Sequence, residues 1–462
     1  MEKALLTTED VLRDLVVAID GPAGSGKSTT ARRVASVLGF RHIDTGAMYR
    51  AVALKALRTG IDPSDGEACG AASEAIRIEF REAPGGQTVL SDGDDVTRDI
   101  RTPEVTRAVS PVSAHPSVRS AMVRQQRILA REGGAVLEGR DIGTVVLPSA
   151  DVKIYLVASP RVRAQRRLKE LQAQGVETTV EEVEADIIRR DEYDSGREAS
   201  PLRRAVGSVL VDTSGLTIEE QVETVVEAAH ETARRLTALE PVRGSGVSGS
   251  FKPLYKFGWG LSRVVARVLF GRKVEITSNV TYKEHYIYAC NHRSNVDPPF
   301  VGSSIHREMY FMAKAALFRN PVFGRLIGAV NAIPLKRGIF DREAMNQVLE
   351  LLRKNCSMMI FPEGGRVFTD DLGRAKSGVG YLAINSETAV IPMYVSGTNR
   401  LWRCLFRREH VHVSIGRPIR LAPGTAGEFA DGDGYRAFAE MVLEAIRALK
   451  DEYESRRETV KG

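Results

Sequence analysis

From Leu15 to about Ala238, short apolar runs alternate with longer stretches of helical period, the signature of a parallel sheet flanked by helices. Val16–Ile19, Ala135–Leu137, Val152–Val157 and Ser208–Val211 are the predicted strands, and Gly26–Leu38 and Ile218–Leu236 the predicted helices, the second of them amphipathic. Residues 243–250 then read Arg-Gly-Ser-Gly-Val-Ser-Gly-Ser, a composition that cannot bury a core and behaves as flexible coil. The pattern predicts an N-terminal tail over 1–14, a first domain over 15–238, a flexible linker over 239–250 and a second domain over 251–462. Past the linker, Tyr255, Phe257, Trp259, Leu261, Val264, Val265 and Val268 are interleaved with Lys252, Lys256, Arg263 and Arg267. Two readings stand there: an interfacial helix with snorkelling basic residues, or a helix packed on its own domain. Tyr286–Cys290 and Met358–Ile360 read as strands and Val390–Tyr394 as a further apolar run, so the expectation for both halves is α/β.

A chain of 462 residues exceeds one ordinary core, and two domains fit it best. With 43% hydrophobic and 27% charged residues, disordered and fibrous classes are excluded. Cys69, Cys290, Cys356 and Cys404 stand apart, without the pairing of a zinc site or a disulfide framework. Residues 1–14 lack the basic-then-apolar layout of a secretory signal, and no apolar stretch reaches bilayer length, which predicts a cytoplasmic chain whose membrane contact is peripheral. A net charge of +6 favours anionic partners, including acidic lipid head groups. No aromatic-interleaved basic stripe argues for nucleic acid.

Gly21-Pro22-Ala23-Gly24-Ser25-Gly26-Lys27-Ser28, followed by Thr29, lies directly behind the first strand and opens a helix. In this context glycines let backbone N–H groups wrap an ATP phosphate, Lys27 reaches the β- and γ-phosphates, and the Ser28 hydroxyl is a ligand for nucleotide-borne Mg²⁺. The acceptor must be read elsewhere. Asp44 to Arg50, Glu138 to Thr144 and Arg189 to Arg197 supply three arginine-bearing clusters, the last polar and glycine-bearing, as a mobile lid would be. Arginine forks suit phosphate because they bind its oxygens in pairs and stay charged. Arg161, Arg163, Arg166 and Arg167 belong to the lid or to a solvated helix face. A regulatory GTPase is disfavoured because no N-K-x-D occurs, while another small-molecule kinase of the same loop, such as a shikimate kinase, stays open.

Together these segments, with residues 100–105 and 110–119, resemble the cytidylate kinases over nearly the whole of 15–238. The resemblance implies a P-loop nucleoside monophosphate kinase fold with a lid and a monophosphate-binding region, and transfer of phosphate from ATP to CMP or dCMP. It implies that Arg50, Arg140 and Arg197 grip the CMP phosphate with Thr45 nearby. Ser110, Arg119 and Asp141 would read the cytosine, and Asp194 and Arg190 would make ribose and lid contacts. Lys27, Arg140, Arg190 and Arg197 are the expected catalytic set.

In the second half, Asn291-His292-Arg293-Ser294-Asn295-Val296-Asp297 follows a strand, and Phe361-Pro362-Glu363-Gly364-Gly365-Arg366 follows another. With Lys314, the segment Ile333 to Arg337 and Val390 to Tyr394, these blocks resemble the glycerolipid acyltransferases over about 251–418, specifically the 1-acyl-glycerol-3-phosphate acyltransferases. The third block departs from the usual E-G-T-R-S, since Gly365 and Val367 replace its hydroxyls. The resemblance implies His292 as general base and Asp297 as its orienting carboxylate. Lys336, Arg337, Glu363, Gly364 and Arg366 form the expected site for the acceptor phosphate of a lysophospholipid. The donor is acyl-CoA or an acyl carrier protein. Two classes remain for this half, an acyltransferase and a membrane-docking module that has lost turnover. A CMP-recycling kinase joined to an acyltransferase would serve lipid assembly from both ends.

Overall fold

The structure, a computed structural model, describes residues 7–83, 86–173, 176–196, 201–239, 253–277, 284–336 and 341–461. Arg197, Arg337 and all but the first residue of the expected linker lie outside the described residues. The chain divides near residue 235 into two compact units.

In the first unit, β1 (Val16–Asp20) is buried along its whole length, as a central strand covered on both faces must be. β2 (Arg41–Asp44) follows the helix Lys27–Leu38, and a small antiparallel sheet of β3 (Ile78–Ala83), β4 (Gly86–Ser91) and β5 (Asp94–Asp95) comes next. With β6 (Ala135–Gly139), β7 (Val152–Val157) and β8 (Val209–Asp212) the main sheet is five-stranded, all parallel, in the order β2-β6-β1-β7-β8. Asp20 is level with Gly139 and Tyr155, and Asp44 with Glu138, so the carboxyl ends form one edge. Ligands bind outside such an edge, where the strand order reverses. Ala18, Met48, Val52, Ile100, Met122 and Leu137 belong to the core on one face.

Three of the four expected strands start where the apolar runs start, and the fourth is shifted by one residue. Part of the expected N-terminal tail is structured: Thr8–Arg13 is a helix closed by a Thr7–Asp10 capping box. The polar segment before Arg197 is helical, Val180–Ser195, because a Thr179–Glu182 capping box starts it and Val183 and Ile187 are buried.

In the second unit, β9 (Lys273–Ile276), β10 (Ile287–Cys290), β11 (Met309–Lys314), β12 (Ala332–Leu335), β13 (Ser357–Ile360), β14 (Val390–Ser396) and β15 (His412–Ile415) make one seven-stranded sheet. Its order is β12-β11-β13-β10-β14-β15-β9, and only the β14–β15 pair is antiparallel. Tyr286, Tyr288 and Cys290 alternate onto one buried face with Ile391, Met393 and Val413. The helix Pro253–Val268 is packed on its own unit along one side and leaves apolar side chains exposed on another. Tyr255 and Ala266 are buried, and Trp259 Nε1 donates to Ile305 O at 2.8 Å, whereas Leu254, Phe257, Leu261, Val264 and Val268 are exposed. Among the described residues no helix is long and apolar enough to cross a membrane.

Candidate functional site

The phosphate loop takes its shape from glycines at strained positions. Gly21 has φ of 151°, and a Cβ there would lie 2.1 Å from the Leu156 carbonyl oxygen. Gly26, with φ of 93°, begins the helix Lys27–Leu38 without a side-chain cap, leaving the first N–H groups for an anion. Gly21, Pro22, Ser25 and Lys27 are buried, Ala23 and Gly26 half-buried, and Gly24, Ser28 and Thr29 exposed. Lys27 Nζ donates to Pro22 O at 2.6 Å. Burial holds its pKa well below the usual lysine value, Arg140 and Arg190 adding to the shift and Glu138 and Asp20 opposing it.

Glu138, at the end of β6, ties the loop to the acceptor side. Its Oε2 accepts from Ser28 Oγ at 2.6 Å, Oε1 lies 3.1 Å from His42 Nε2, and its carbonyl accepts from Thr45 Oγ1 at 2.7 Å. The Ser28 hydroxyl and this carboxylate are hard oxygen groups that fit Mg²⁺ carried on nucleotide phosphates. Among the described residues no cluster of three His, Cys, Asp or Glu could hold a metal without such a partner. Burial lowers the Arg50 pKa; Asp44 opposes this and Arg101, Arg167 and Arg140 reinforce it. Arg50 thus feels the positive charge of three other guanidiniums, a field that an anion relieves.

Beside them, Arg140 Nε donates to the buried Asp194 at 3.2 Å. Arg119 is paired with Asp141, lies 5.5 Å from the Tyr49 ring centroid, and donates to Ser113 O at 3.4 Å. Burial works against the Arg119 charge, but Asp141, Tyr49 and Asp194 together outweigh it and the pKa is raised. Ser110 is half-buried one helical turn before Ser113, and Arg190 is exposed on Val180–Ser195. Arg163 and Arg166 turn out to brace the phosphate loop. Arg163 donates to Ala23 O at 3.1 Å and Asp191 at 2.6 Å, and Arg166 donates to Thr213, whose hydroxyl donates to Ser25 O at 3.0 Å. Arg161 and Arg167 pair with glutamates at the surface.

In the second unit, β10 delivers His292 to the carboxyl edge of the sheet. Asn291 fixes the strand end by bonding both ways with Val395, at 3.0 Å and 2.7 Å. His292 Nδ1 lies 2.8 Å from Asp297 Oδ2, and that oxygen also accepts the Arg293 and Ser294 N–H groups, both at 2.7 Å. The imidazole stacks on Phe361, 4.1 Å between ring centroids. With Nδ1 engaged, Nε2 is the nitrogen left for a substrate. Burial, aided by Asp297 and Glu363, pushes the Cys290 thiol well above its usual pKa, so it stays protonated and is no nucleophile.

Glu363, expected at the acceptor phosphate, is 8% exposed, and its oxygens accept His292 N at 2.8 Å and Gly373 N at 2.7 Å. A carboxylate next to the strand end repels phosphate and attracts N–H groups, which is what it has found. Gly364 is exposed in the adjoining turn, its N–H donating to Phe361 O at 2.9 Å. Arg366 is exposed, 5.4 Å from the Phe368 ring centroid, and Lys336 is exposed just past β12.

The cytidylate kinase family model matches residues 17–231, and an acyltransferase family model matches 271–396. The cytidylate kinase of Symbiobacterium thermophilum is 49% identical over 48% of this chain and 99% of its own length. That of Geobacillus kaustophilus is 50% identical over 47% of this chain and 98% of its own. The chain belongs to the cytidylate kinase family. Its second unit is an acyltransferase-family domain. A solved 1-acyl-sn-glycerophosphate acyltransferase from Thermotoga maritima is 21% identical, covers 48% of this chain and 82% of its own, and superposes with a TM-score of 0.33.

Within the cytidylate kinase unit, Glu138 and Arg101 lie in segments that the sequence singles out, without an expected role of their own. A carboxylate at a strand end beside a phosphate loop, and an arginine in a matched family segment, were the available signals. Asp20 was not singled out at all.

Proposed function

We propose that the first unit transfers the γ-phosphoryl group of ATP to CMP or dCMP, and that the second transfers an acyl group from a thioester to a lysophosphatidic-acid-like acceptor. The observation that supports the kinase half is Arg140, just past the end of β6, whose charge acts on both Lys27 of the phosphate loop and Arg50, with Asp141 of the Arg119–Asp141 pair next to it in sequence. Residues 21–29 cradle ATP, and Mg²⁺ entering with it supplies charge neutralisation at the β- and γ-phosphates, with Ser28 as its protein ligand. Arg50, Arg140 and Arg197 hold the acceptor phosphate in line, with Thr45 beside it. Ser110, Arg119 and Asp141 select cytosine, while Asp194 and Arg190 hold ribose and lid. A phosphate oxygen of CMP bonds to the γ-phosphorus as the bond to ADP breaks. Little covalent help is needed beyond alignment and dispersed positive charge. Release of ADP with CMP, UMP, GMP and shikimate tests this half, and turnover of shikimate alone would refute it.

For the second half the supporting observation is the 2.8 Å His292–Asp297 contact. His292 Nε2 takes the acceptor hydroxyl proton as the oxygen attacks the thioester carbonyl; the C–S bond then breaks and the thiol leaves with that proton. Asp297 fixes the tautomer and stabilises the imidazolium. Lys336, Arg337 and Arg366 clamp the acceptor phosphate. The donor is a thioester of CoA or of a carrier protein. The exposed apolar stripe of Pro253–Val268, with Lys256, Arg263 and Arg267, docks the unit peripherally on the cytoplasmic face of a membrane. Thiol release from acyl-CoA and acyl carrier protein with a panel of lysophospholipids tests this half. No release with any acceptor, together with vesicle binding, would favour the docking module instead.

A further inference from the structure

β1 ends on Asp20, and the ATP cradle begins at the next residue. Asp20 is 2% exposed. Its Oδ1 accepts the Ile142 N–H at 2.8 Å and its Oδ2 the Gly143 N–H at 2.7 Å. Those two N–H groups open the single helical turn Ile142–Val146, and the two residues before that turn are Arg140 and Asp141. The approach leaves little slack, since a Cβ on Gly143 would lie 3.1 Å from Ala205 Cβ and 3.3 Å from Asp20 Oδ2. One buried carboxylate is thus covalently joined to the donor side of the reaction and hydrogen-bonded to the turn that carries the acceptor side.

We propose that Asp20 is a positioning residue for phosphoryl transfer, its ionised carboxylate fixing the spacing between the ATP cradle and the Arg140–Asp141 turn. Two convergent N–H donors need two acceptors. An ionised carboxylate offers them, whereas a protonated acid or an amide offers one and turns a donor toward the other N–H. In-line transfer tolerates little misplacement, and a shift of about 1 Å costs on the order of 100-fold in rate.

Burial raises the Asp20 pKa to about 7, with the Gly143 and Ile142 N–H groups opposing, Asp141 assisting and Lys27 opposing. The groups facing it are Lys27 from the first helix, Asp141 from the turn, and Tyr155 from β7, whose own pKa is raised by burial and by Asp20. Lys153 of β7 lies alongside, its Cδ 3.5 Å from a Cβ built on Gly143. The catalytic sign follows directly: the positioning contact is complete above pH 7 and is lost as pH falls through it. The stability sign is opposite. With the folded pKa above the unfolded value of about 4, the native state keeps a proton that the unfolded chain releases, so stability declines as pH rises from about 4 to 7. Asp20 therefore lowers stability in the ionised form that catalysis requires, a combination that a purely structural residue would not show.

The test uses the full chain, rests on the CMP kinase reading, and compares wild type with Asp20→Asn between pH 5.5 and 8.5 at saturating ATP and CMP. The expected result is a wild-type kcat that falls about tenfold per unit below pH 7. For Asp20→Asn a kcat about 100-fold lower at pH 8 is expected, flat with pH, with KM for ATP within about threefold and no drop in melting temperature. Wild-type kcat in Asp20→Asn, or the same inflection persisting in it, overturns the proposal. If Asp20→Asn does not fold, the wild-type profile decides, and a kcat without inflection near pH 7 overturns it. A wild type that leaves CMP unphosphorylated refutes the kinase reading and is read separately.

Discussion

Around Lys27, the charged groups come from Asp20, Glu138, Arg140 and Arg190, on elements spread through most of the first unit. Around His292, Asp297 follows five residues on and gathers the Arg293 and Ser294 N–H groups, and Glu363 and Phe361 come from one further strand end. In the proposed reading the phosphoryl site distributes its work over guanidiniums that the fold must gather, because a transition state with charge on many oxygens is stabilised from many directions. The proposed acyl site concentrates its work on one imidazole, because a single proton must move. Loss of one guanidinium should therefore be graded in the first unit, and loss of the imidazole or of its carboxylate nearly complete in the second.

The largest effect expected follows from Asp297→Asn. An amide leaves His292 in the wrong tautomer and puts an N–H group against the Arg293 and Ser294 donors, so acyl transfer should fall about 10⁴-fold while CMP phosphorylation is unchanged. A loss of under tenfold would break the comparison. Next, Arg140→Met should lower kcat/KM for CMP by about 10²–10³-fold with KM for ATP nearly constant, since other guanidiniums remain at the site. A loss as complete as at Asp297 would mean that the charge is not shared. Glu363→Gln should cost acyl transfer about tenfold through a misplaced His292 backbone, without raising KM for the lysophospholipid. A selective rise in that KM would return Glu363 to the acceptor site.

How legible each site was in the sequence follows the same division. The His292–Asp297 pair was readable because one strand end and one short turn make it. The arginines proposed to grip CMP could be proposed only through family resemblance, since nothing local joins Arg50 to Arg140. β2 was missed because Arg41-His42-Ile43-Asp44 carries two charges and one aliphatic residue, yet β6 pairs with it along its length. β9 was missed for a related reason: Lys273-Val274-Glu275-Ile276 is an edge strand, polar on alternate positions. The bonds of Glu363 to His292 N and Gly373 N were not legible, because a motif places a residue at a strand end without saying which way its carboxylate turns. Glu138, in contrast, is defined by three partners from separate segments, and no local pattern encodes that.

The smallest effect expected concerns stability in the second unit. His412 is stacked on Tyr453, and burial, with Lys273 and His410, lowers its pKa to about 4. Below its unfolded pKa of about 6.5 the unfolded chain takes a proton that the native state refuses until pH 4. Its contribution is thus present above pH 6.5 and lost as pH falls toward 4, opposite in sign to Asp20. His412→Gln should shrink the drop in melting temperature between pH 7 and 5 by a few degrees. An unchanged drop would remove His412 from the acid response.

The central claim is that one chain carries two independent chemistries, each with its own indispensable group. The direct measurement is a crossed pair on the full chain, Lys27→Met and His292→Ala, each assayed for ADP release with CMP and for thiol release with lysophosphatidic acid. The account predicts that Lys27→Met silences the first activity and spares the second, and that His292→Ala does the reverse. Loss of both activities in either variant, or thiol release surviving His292→Ala, would contradict it.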